Sequence, residues 1–361
     1  MKPNKILDIF YKHDIRFFSG VPDSCLSSLS NLLLKTKKKI SHVMAPNEGV
    51  AVSLGVGYHL NTNKVPCIYM QNSGFGNATD PITNLCHKTV YNIPLILLIG
   101  WRGKPGIKDE PQHETQGKSI RTTLKSYGIK YHDMNNLSEK KISNIIRETK
   151  SKNQINALLI DKDFFEKKIK TIKRTKNKIY RSDAIKSLIK YLPPNYKIIS
   201  STGFNSRELL KQRKTKNKTF YMIGAMGHTM GVCIGMLNRN NKKSVVCVDG
   251  DGSFYMHLGS FSLLQKKHKL IYYLLDNKAH ESVGEVRLNY TMNNIESFAK
   301  AVGFKKYIQI SNLNNLDTTL KKIQKLSLPL FVHVTTHIEQ NRNLPRPKDL
   351  KKIKEEFIEK K

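Results

Sequence analysis

Three separated stretches of the chain hold residues whose types and spacing suit the binding of a phosphorylated ligand through a divalent cation. The first is Val245-Val246-Cys247-Val248-Asp249-Gly250-Asp251-Gly252-Ser253, an apolar strand ending in Gly-Asp-Gly with a helix starting just after it. A carboxylate and a helix N-terminus thus meet at the carboxyl edge of a parallel sheet, where open α/β sheets bind ligands. The next apolar strand, Leu270 to Leu275, ends in Asp276-Asn277, 277 − 251 = 26 residues beyond Asp251. Both strands offer oxygen ligands at one edge, and two side-chain oxygens, a backbone carbonyl, phosphate oxygens and water can complete the octahedral shell that Mg²⁺ prefers. Gly-Asp-Gly by itself is equally a plain structural turn.

The second stretch, Ile223-Gly224-Ala225-Met226-Gly227-His228-Thr229, is a strand end, a small-residue turn and a helix start. Glycines there let backbone N–H groups approach phosphate closely. Met226 in the turn has an ordinary alternative as a core side chain. The third stretch is Ala45-Pro46-Asn47-Glu48-Gly49, where a strand hands over to a helix. Glu48 serves either as a capping residue or as a proton-holding acid, since a partly desolvated carboxyl keeps its proton closer to neutral pH.

Taken together these elements resemble the thiamine-diphosphate enzyme family, in which Gly-Asp-Gly is followed at this range by a pair ending in Asn. The resemblance implies thiamine diphosphate and Mg²⁺ as cofactors, with Asp251, Asn277 and the carbonyl of Ala279 as metal ligands. It implies cofactor contacts from Gly224, Ala225, Met226, Gly227 and His228, from Gly250, Asp251, Gly252 and Ser253, and from Asn277, with Met226 wedging the cofactor rings. Glu48 is implied to hydrogen-bond the aminopyrimidine and to start proton removal from the thiazolium. Asp276 stands where the family often has Asn, which leaves the ligating position intact. Relatives share the cofactor between two subunits, so a homodimer or larger homo-oligomer is implied.

Within that family, Gly20-Val21-Pro22-Asp23-Ser24, Tyr69-Met70-Gln71-Asn72-Ser73-Gly74, Gly100-Trp101-Arg102-Gly103, Asp109-Glu110-Pro111-Gln112-His113 and Ala279-His280-Glu281-Ser282-Val283-Gly284 resemble the phosphonopyruvate decarboxylases. That group continues Gly-Gln-Pro-Thr where this chain reads Glu285-Val286-Arg287-Leu288. The implied reaction is decarboxylation of 3-phosphonopyruvate to phosphonoacetaldehyde and CO₂ in phosphonate biosynthesis. Sulfopyruvate or another short 2-keto acid is the alternative substrate. A small, multiply anionic keto acid needs directed polar groups, and Asp23, Ser24, Gln71, Asn72, Arg102, Gln112 and His113 supply them at predicted strand ends and loops. His113 and His280 are the candidates for later proton movements. Each also has an ordinary explanation: Ser24 as a helix cap, Arg102 as a solvated cation, His113 as a loop imidazole.

Positioning these groups requires an α/β scaffold. Apolar runs at Phe17-Phe18, Ile40 to Met44, Pro66 to Met70, Pro94 to Ile99 and Ala157 to Ile160 alternate with helical stretches at Leu26 to Leu34, Gly49 to Leu60 and Thr79 to Thr89. The alternation restarts with a helix from Asp183 to Tyr191 and strands at Tyr196 to Ser200, Phe220 to Ile223, Ser244 to Val248, Leu270 to Leu275 and Leu330 to Val334. It predicts two tandem α/β domains, each a mainly parallel sheet flanked by helices, and the resemblance implies that both are of the thiamine-diphosphate-binding type. The domains are placed at 1–165 (pyrimidine-binding) and 181–361 (diphosphate- and Mg-binding), joined by a basic linker at 166–180. The tail from Lys348 to Lys361 is expected to form an amphipathic helix with Ile353, Phe357 and Ile358 inward.

The chain has 361 residues and a formal charge of +34, from 62 Lys and Arg against 28 Asp and Glu. Such a charge admits a nucleic-acid-binding protein, but the lysines are spread along the chain with no zinc-finger, RNP or heptad pattern, so no specific nucleic acid is expected. The five cysteines show no CxxC pairing and read as buried thiols. No apolar run approaches the roughly 18 residues of a membrane span, and no secretory h-region opens the chain, so a cytoplasmic location and no membrane partner are expected.

Overall fold

The computed structural model describes residues 2–166, 174–212, 218–238, 244–339 and 343–358. It resolves into two compact units, one of Met1–Ile169 with Ser282–Tyr290, the other of Lys170–Glu281 with Thr291–Lys361. The expected linker at 166–180 lies partly outside the described residues.

The first unit holds six strands, β1 (Phe17–Gly20), β2 (Ser41–Met44), β3 (Cys67–Gln71), β4 (Leu95–Gly100), β5 (Lys130–Asp133) and β6 (Ile155–Ile160). They form a wholly parallel sheet in the order β2-β1-β3-β4-β6-β5. Strand β4 shows why these runs become central strands. Ile96 and Leu98 enter one apolar cluster, while Leu95, Leu97 and Ile99 enter another on the opposite face. Every side chain of such a strand is buried, each contributing about 1.5–3 kcal/mol. Covering helices read as amphipathic stripes; the helix Glu139–Ser151 is capped by the Ser138 side chain and buries Ile142, Ile145, Ile146 and Thr149. The order places β1, β3 and β4 side by side, so the loops that follow their carboxyl ends are neighbours.

The second unit holds β7 (Tyr196–Ser200), β8 (Thr219–Tyr221), β9 (Ser244–Gly250) and β10 (Leu270–Asp276), then β13 (Lys306–Ile310) and β14 (Leu330–Thr335). Outside the large sheets lie two two-residue strands, β11 (Ala279–His280) in this unit and β12 (Val286–Arg287) in the first. The second sheet is again all parallel, in the order β13-β14-β10-β9-β7-β8. One face carries aliphatic residues such as Val246, Val248, Ile271, Leu275, Val332 and Val334. An aromatic cluster includes Phe261 against Tyr272 at 5.0 Å between ring centroids and Phe304 against Phe331 at 5.1 Å, edge-on pairs worth about 0.5–1.5 kcal/mol each beyond burial. The loops after β9 and β10 are neighbours at one sheet edge.

Several elements differ from the sequence expectation. The helix expected over Thr79 to Thr89 is a helix from Phe75 to Pro81 followed by a wider turn from Ile82 to Cys86, since Pro81 withdraws an N–H from the helical ladder. The tail helix runs from Leu350 to Phe357 and buries Ile353, but Ile358 is exposed. The chain leaves the helix at Ile358 in an extended conformation, which ends the apolar stripe one residue early. All five cysteines are buried and none forms a disulfide.

Candidate functional site

In the first unit, Glu48 opens the helix Glu48–Thr62, and Asn47 caps that helix by accepting the Val50 N–H at 2.9 Å. This pins the carboxyl-bearing residue at a fixed point just past β2. Glu48 is buried, and its Oε2 accepts from Asn77 Nδ2 at 2.8 Å. Burial raises its pKa, and the Asn77 hydrogen bond only partly opposes this. The side chain lies directly over Gly74, where a Cβ would sit 2.1 Å from Oε1. Glu48 is therefore an acid that keeps its proton more readily than an exposed carboxyl.

The same unit joins Asp23, Ser24, Asn72, Arg102 and His113. Asn72, next after β3, donates from Nδ2 to the Arg102 carbonyl at 2.8 Å and accepts the Arg102 N–H at 3.1 Å. Its amide is thus committed to the backbone two residues past β4 and holds Arg102 in place. Arg102 Nη1 donates to Ser24 Oγ at 2.7 Å, and Nε and Nη2 grip the two oxygens of Asp109. Asp109 also accepts from the N–H groups of Gly103 and Glu110 and from His113 Nδ1 at 3.0 Å. Burial alone would raise Asp109, but hydrogen bonds from Arg102, His113 and the backbone outweigh it and hold the carboxyl far below the usual range. An ionised carboxylate only accepts, so His113 carries its proton on Nδ1. Burial and the Arg102 charge lower the His113 pKa against the pull of Asp109. The imidazole is then neutral near pH 7, with Nε2 open to accept a proton.

Asp23 is buried, and its Oδ1 accepts the Cys25 N–H at 2.8 Å; a Cβ at Gly100 would fall 2.1 Å from that oxygen. Gln71 turns back onto Ser73, and Gln112 is half-buried one residue before His113. The loop after β4 is further anchored by Lys104, whose ammonium reaches Asp133 at 2.7 Å and Asp161 at 2.8 Å. Gly103, at φ +69°, and Gly117 interlock this loop with the helix Pro111–Ser126, leaving no room for side chains at either position.

In the second unit, Ala279 N–H lies 3.2 Å from Asp251 Oδ2 and 3.0 Å from Asn277 Oδ1. Adjacent strands β9 and β10 have thus brought both candidate ligand oxygens to one backbone group. Burial first, and then the charge of neighbouring Asp276, push the Asp251 pKa well up. Asp276 is balanced by His333, whose Nε2 lies 3.0 Å from its Oδ2. Among the described residues no cluster of three or more His, Cys, Asp or Glu is placed to hold a metal. The Asp251 carboxylate and Asn277 amide offer oxygen donors instead, and with the candidate Ala279 carbonyl the set would be oxygen-only, which suits a hard cation such as Mg²⁺.

The turn 224–228 lies beside this set. Ala225 at φ +53° and Gly227 at φ +87° bend the backbone, and Gly227 N–H donates to Ser253 Oγ at 3.0 Å. Gly227 has no room for a side chain, because a Cβ would lie 2.6 Å from His257 Cδ2. Met226 is half-buried and Gly224, Gly250 and His228 line the same segments; the His228 and His257 rings lie against each other, tilted by 32°, at 4.4 Å between centroids. His280 packs against Gly252, and burial lowers its pKa to about 4. Thr229 Oγ1, His257 Nε2 and His280 Nε2 are buried with no hydrogen-bond partner. Unsatisfied buried polar atoms are rare and call for a bound group or water, and three on these segments fit a polar cofactor.

The N-terminal TPP-binding domain of thiamine pyrophosphate enzymes matches residues 4–123, and their C-terminal TPP-binding domain matches residues 201–334. Together these span more than half of the chain. It belongs to the thiamine pyrophosphate enzyme family. Thiamine pyrophosphate, also called thiamine diphosphate, is the cofactor these domains bind. Glu48 falls in the N-terminal match, and Asp251, Asn277 and Ala279 in the C-terminal one. This thiamine pyrophosphate enzyme is 28% identical to a phosphonopyruvate decarboxylase of Streptomyces hygroscopicus, over 91% of this chain and 86% of that protein. It is 24% identical to a sulfopyruvate decarboxylase of Methanosarcina acetivorans, over 91% and 90%. A sulfopyruvate decarboxylase subunit beta of Methanothermobacter thermautotrophicus is 32% identical over 38% of this chain and 71% of that subunit. No helix among the described residues is long and apolar enough to cross a membrane.

Sequence reasoning missed Asn77, Asp109 and Glu281 as partners of the candidate residues. Asp109 carried a readable signal, its i,i+4 spacing from His113. Glu281 carried the same spacing from Asn277; Asn77 carried none, because its contact with Glu48 depends on how loop and helix fold back.

Proposed function

We propose that this chain is a thiamine-diphosphate- and Mg²⁺-dependent carboxy-lyase that converts 3-phosphonopyruvate to phosphonoacetaldehyde and CO₂, a step of phosphonate biosynthesis. The substrate assignment is carried by the hydrogen-bonded set Ser24, Arg102, Asp109 and His113 at adjacent strand ends, supported by similarity over 91% of the chain to a phosphonopyruvate decarboxylase. Thiamine diphosphate, when bound, supplies the electron sink that loss of CO₂ from a 2-keto acid requires. Asp251, Asn277 and the Ala279 carbonyl would hold Mg²⁺. The backbone from Gly224 to His228, with Gly250, Gly252 and Ser253, would hold the diphosphate, and Met226 would support the rings.

Glu48 is the residue assigned to the cofactor's pyrimidine side, where its raised pKa lets it hold a proton more readily than an exposed carboxyl. One proton must replace the departing carboxylate carbon. His113, with Nδ1 tied to Asp109, takes up and returns a proton at Nε2, whereas buried His280 stays neutral and is assigned a contact role. Ser24 and the Arg102 Nη1 edge are assigned to the substrate anion, with Asp23, Gln71 and Gln112 around them and Asn72 acting through Arg102. Asp109 already neutralises Arg102, so a less highly charged sulfonate suits the same donors. Sulfopyruvate is therefore the second substrate reading.

A homodimer or larger homo-oligomer belongs to the same proposal, and a fully active monomer in analytical ultracentrifugation would overturn that part. The substrate test compares CO₂ release from phosphonopyruvate, sulfopyruvate and pyruvate with thiamine diphosphate and Mg²⁺ present. The highest kcat/KM is expected for phosphonopyruvate, and preference for pyruvate would overturn the assignment.

A further inference from the structure

Asn277 can ligate a metal only if its amide oxygen, not its nitrogen, faces Asp251, and two neighbours set that orientation. On one side Asn277 Oδ1 accepts the Ala279 N–H at 3.0 Å, the same N–H that lies 3.2 Å from Asp251 Oδ2. On the other side Asn277 Nδ2 donates to Glu281 Oε2 at 2.6 Å. Rotating the amide by half a turn would set oxygen against the Glu281 carboxylate and NH₂ against the Ala279 N–H, so both contacts would become repulsive.

Glu281 is itself held. Its Oε1 accepts from Arg181 Nη1 at 2.8 Å and from the Glu339 N–H at 3.0 Å, and the Arg181 and Glu281 side chains are both almost fully buried. Arg181 Nε and Nη2 make no hydrogen bond, and Nη2 lies 3.9 Å from Glu339 Oε2, so the 2.8 Å contact with Glu281 is the shorter and hydrogen-bonded one of its two ion pairs; its Cζ lies 4.9 Å from the Phe204 ring centre. Glu339 is fixed in turn by the Ser182 hydroxyl at 2.7 Å and the Ser182 N–H at 3.1 Å. A buried guanidinium hydrogen-bonded to one carboxylate and backed by a second holds the first firmly, and outer hydrogen bonds of this kind orient metal ligands and tune affinity about 10- to 100-fold.

Resting on the metal assignment above, we propose that Glu281, clamped by Arg181, is the positioning residue that sets the polarity of the Asn277 amide and so makes it an oxygen ligand. Glu281→Gln tests this with almost no change of shape. Arg181 and the Glu339 N–H demand an oxygen, so the new amide turns its NH₂ toward position 277. Asn277 must then flip and present nitrogen to the metal. In the double variant Glu281→Gln with Asn277→Asp, the introduced carboxylate accepts from that NH₂ and again offers oxygen to the metal.

The readout is Mn²⁺ bound to the full chain with saturating thiamine diphosphate, titrated by electron paramagnetic resonance, with no turnover required. Glu281→Gln is expected to weaken Mn²⁺ binding by about tenfold or more, and the double variant to return to within about threefold of wild type. A merely structural role would not produce that recovery. Glu281→Gln binding Mn²⁺ like wild type while Asn277→Ala has lost it would overturn the positioning role and leave the metal site standing. Asn277→Ala and Asp251→Ala both binding Mn²⁺ normally would overturn the metal assignment and this inference with it.

Discussion

Gly74→Ala isolates the geometry of the buried acid. Gly74 has φ −78° and ψ −12°, a conformation any residue adopts, so backbone freedom does not explain the glycine. Space does: an added Cβ would lie 2.1 Å from Glu48 Oε1, 2.4 Å from Cδ and 2.7 Å from Cγ. Ordinary contact begins at 3.4 Å, so the carboxyl must retreat by about 1.3 Å or release Asn77. A displacement of about 1 Å at a catalytic group costs on the order of 10²-fold, about 2.7 kcal/mol of transition-state stabilisation. The assay is steady-state CO₂ release from phosphonopyruvate. Metal-dependent cofactor retention should persist, because its proposed ligands lie in the other unit. Gly76→Ala is the control: it lies in the helix Phe75–Pro81 and an added Cβ meets nothing within 4 Å, so turnover should hold and stability should rise by about 0.5–1 kcal/mol. Wild-type kcat in Gly74→Ala would refute the assignment of Glu48 to the chemistry.

Glu48→Gln should abolish most turnover yet raise the melting temperature. A carboxyl whose folded pKa is raised above its unfolded 4.5 holds its proton to higher pH in the native chain than in the unfolded one, so it costs stability as pH rises past about 4.5. The gain from Glu48→Gln, followed by thermal melts, should therefore be absent near pH 4 and present at pH 7. His42 and His280 are both lowered to about 4 by burial. Native imidazoles then bind fewer protons than unfolded ones between pH 4 and 6.5, so stability should fall as pH drops through that range. NMR titration should show neither ring ionising between pH 6 and 8. Asp251→Asn should stabilise the metal-free chain at pH 7 while losing the rise in melting temperature that thiamine diphosphate with Mg²⁺ gives wild type; an undiminished rise would refute its ligand role.

The central strands were legible because burial on both faces writes continuous apolar runs, as in Leu95–Gly100 and Leu270–Asp276. Residues just past those runs, Arg102 and Asn277 among them, were legible for the same reason. The edge strands Lys130–Asp133 and Lys306–Ile310 were not, since each, paired on one side, keeps exposed polar residues that break the apolar run, whereas the edges Ser41–Met44 and Thr219–Tyr221 adjoin apolar residues enough to be read. The helices Pro3–Lys12 and Glu139–Ser151 were not read, although both carry i,i+3,i+4 stripes, with Ile6, Leu7, Phe10 and Ile142, Ile145, Ile146. The clamp on Asn277 was illegible because Arg181, Glu281 and Glu339 are far apart in sequence and meet only through folding.

The most direct test of the account strips the protein of cofactor and restores thiamine diphosphate and Mg²⁺ singly and together, while CO₂ release from phosphonopyruvate is followed. Turnover only when both are present is the predicted result. Turnover that is indifferent to omission of thiamine diphosphate, or none with both present, would contradict it.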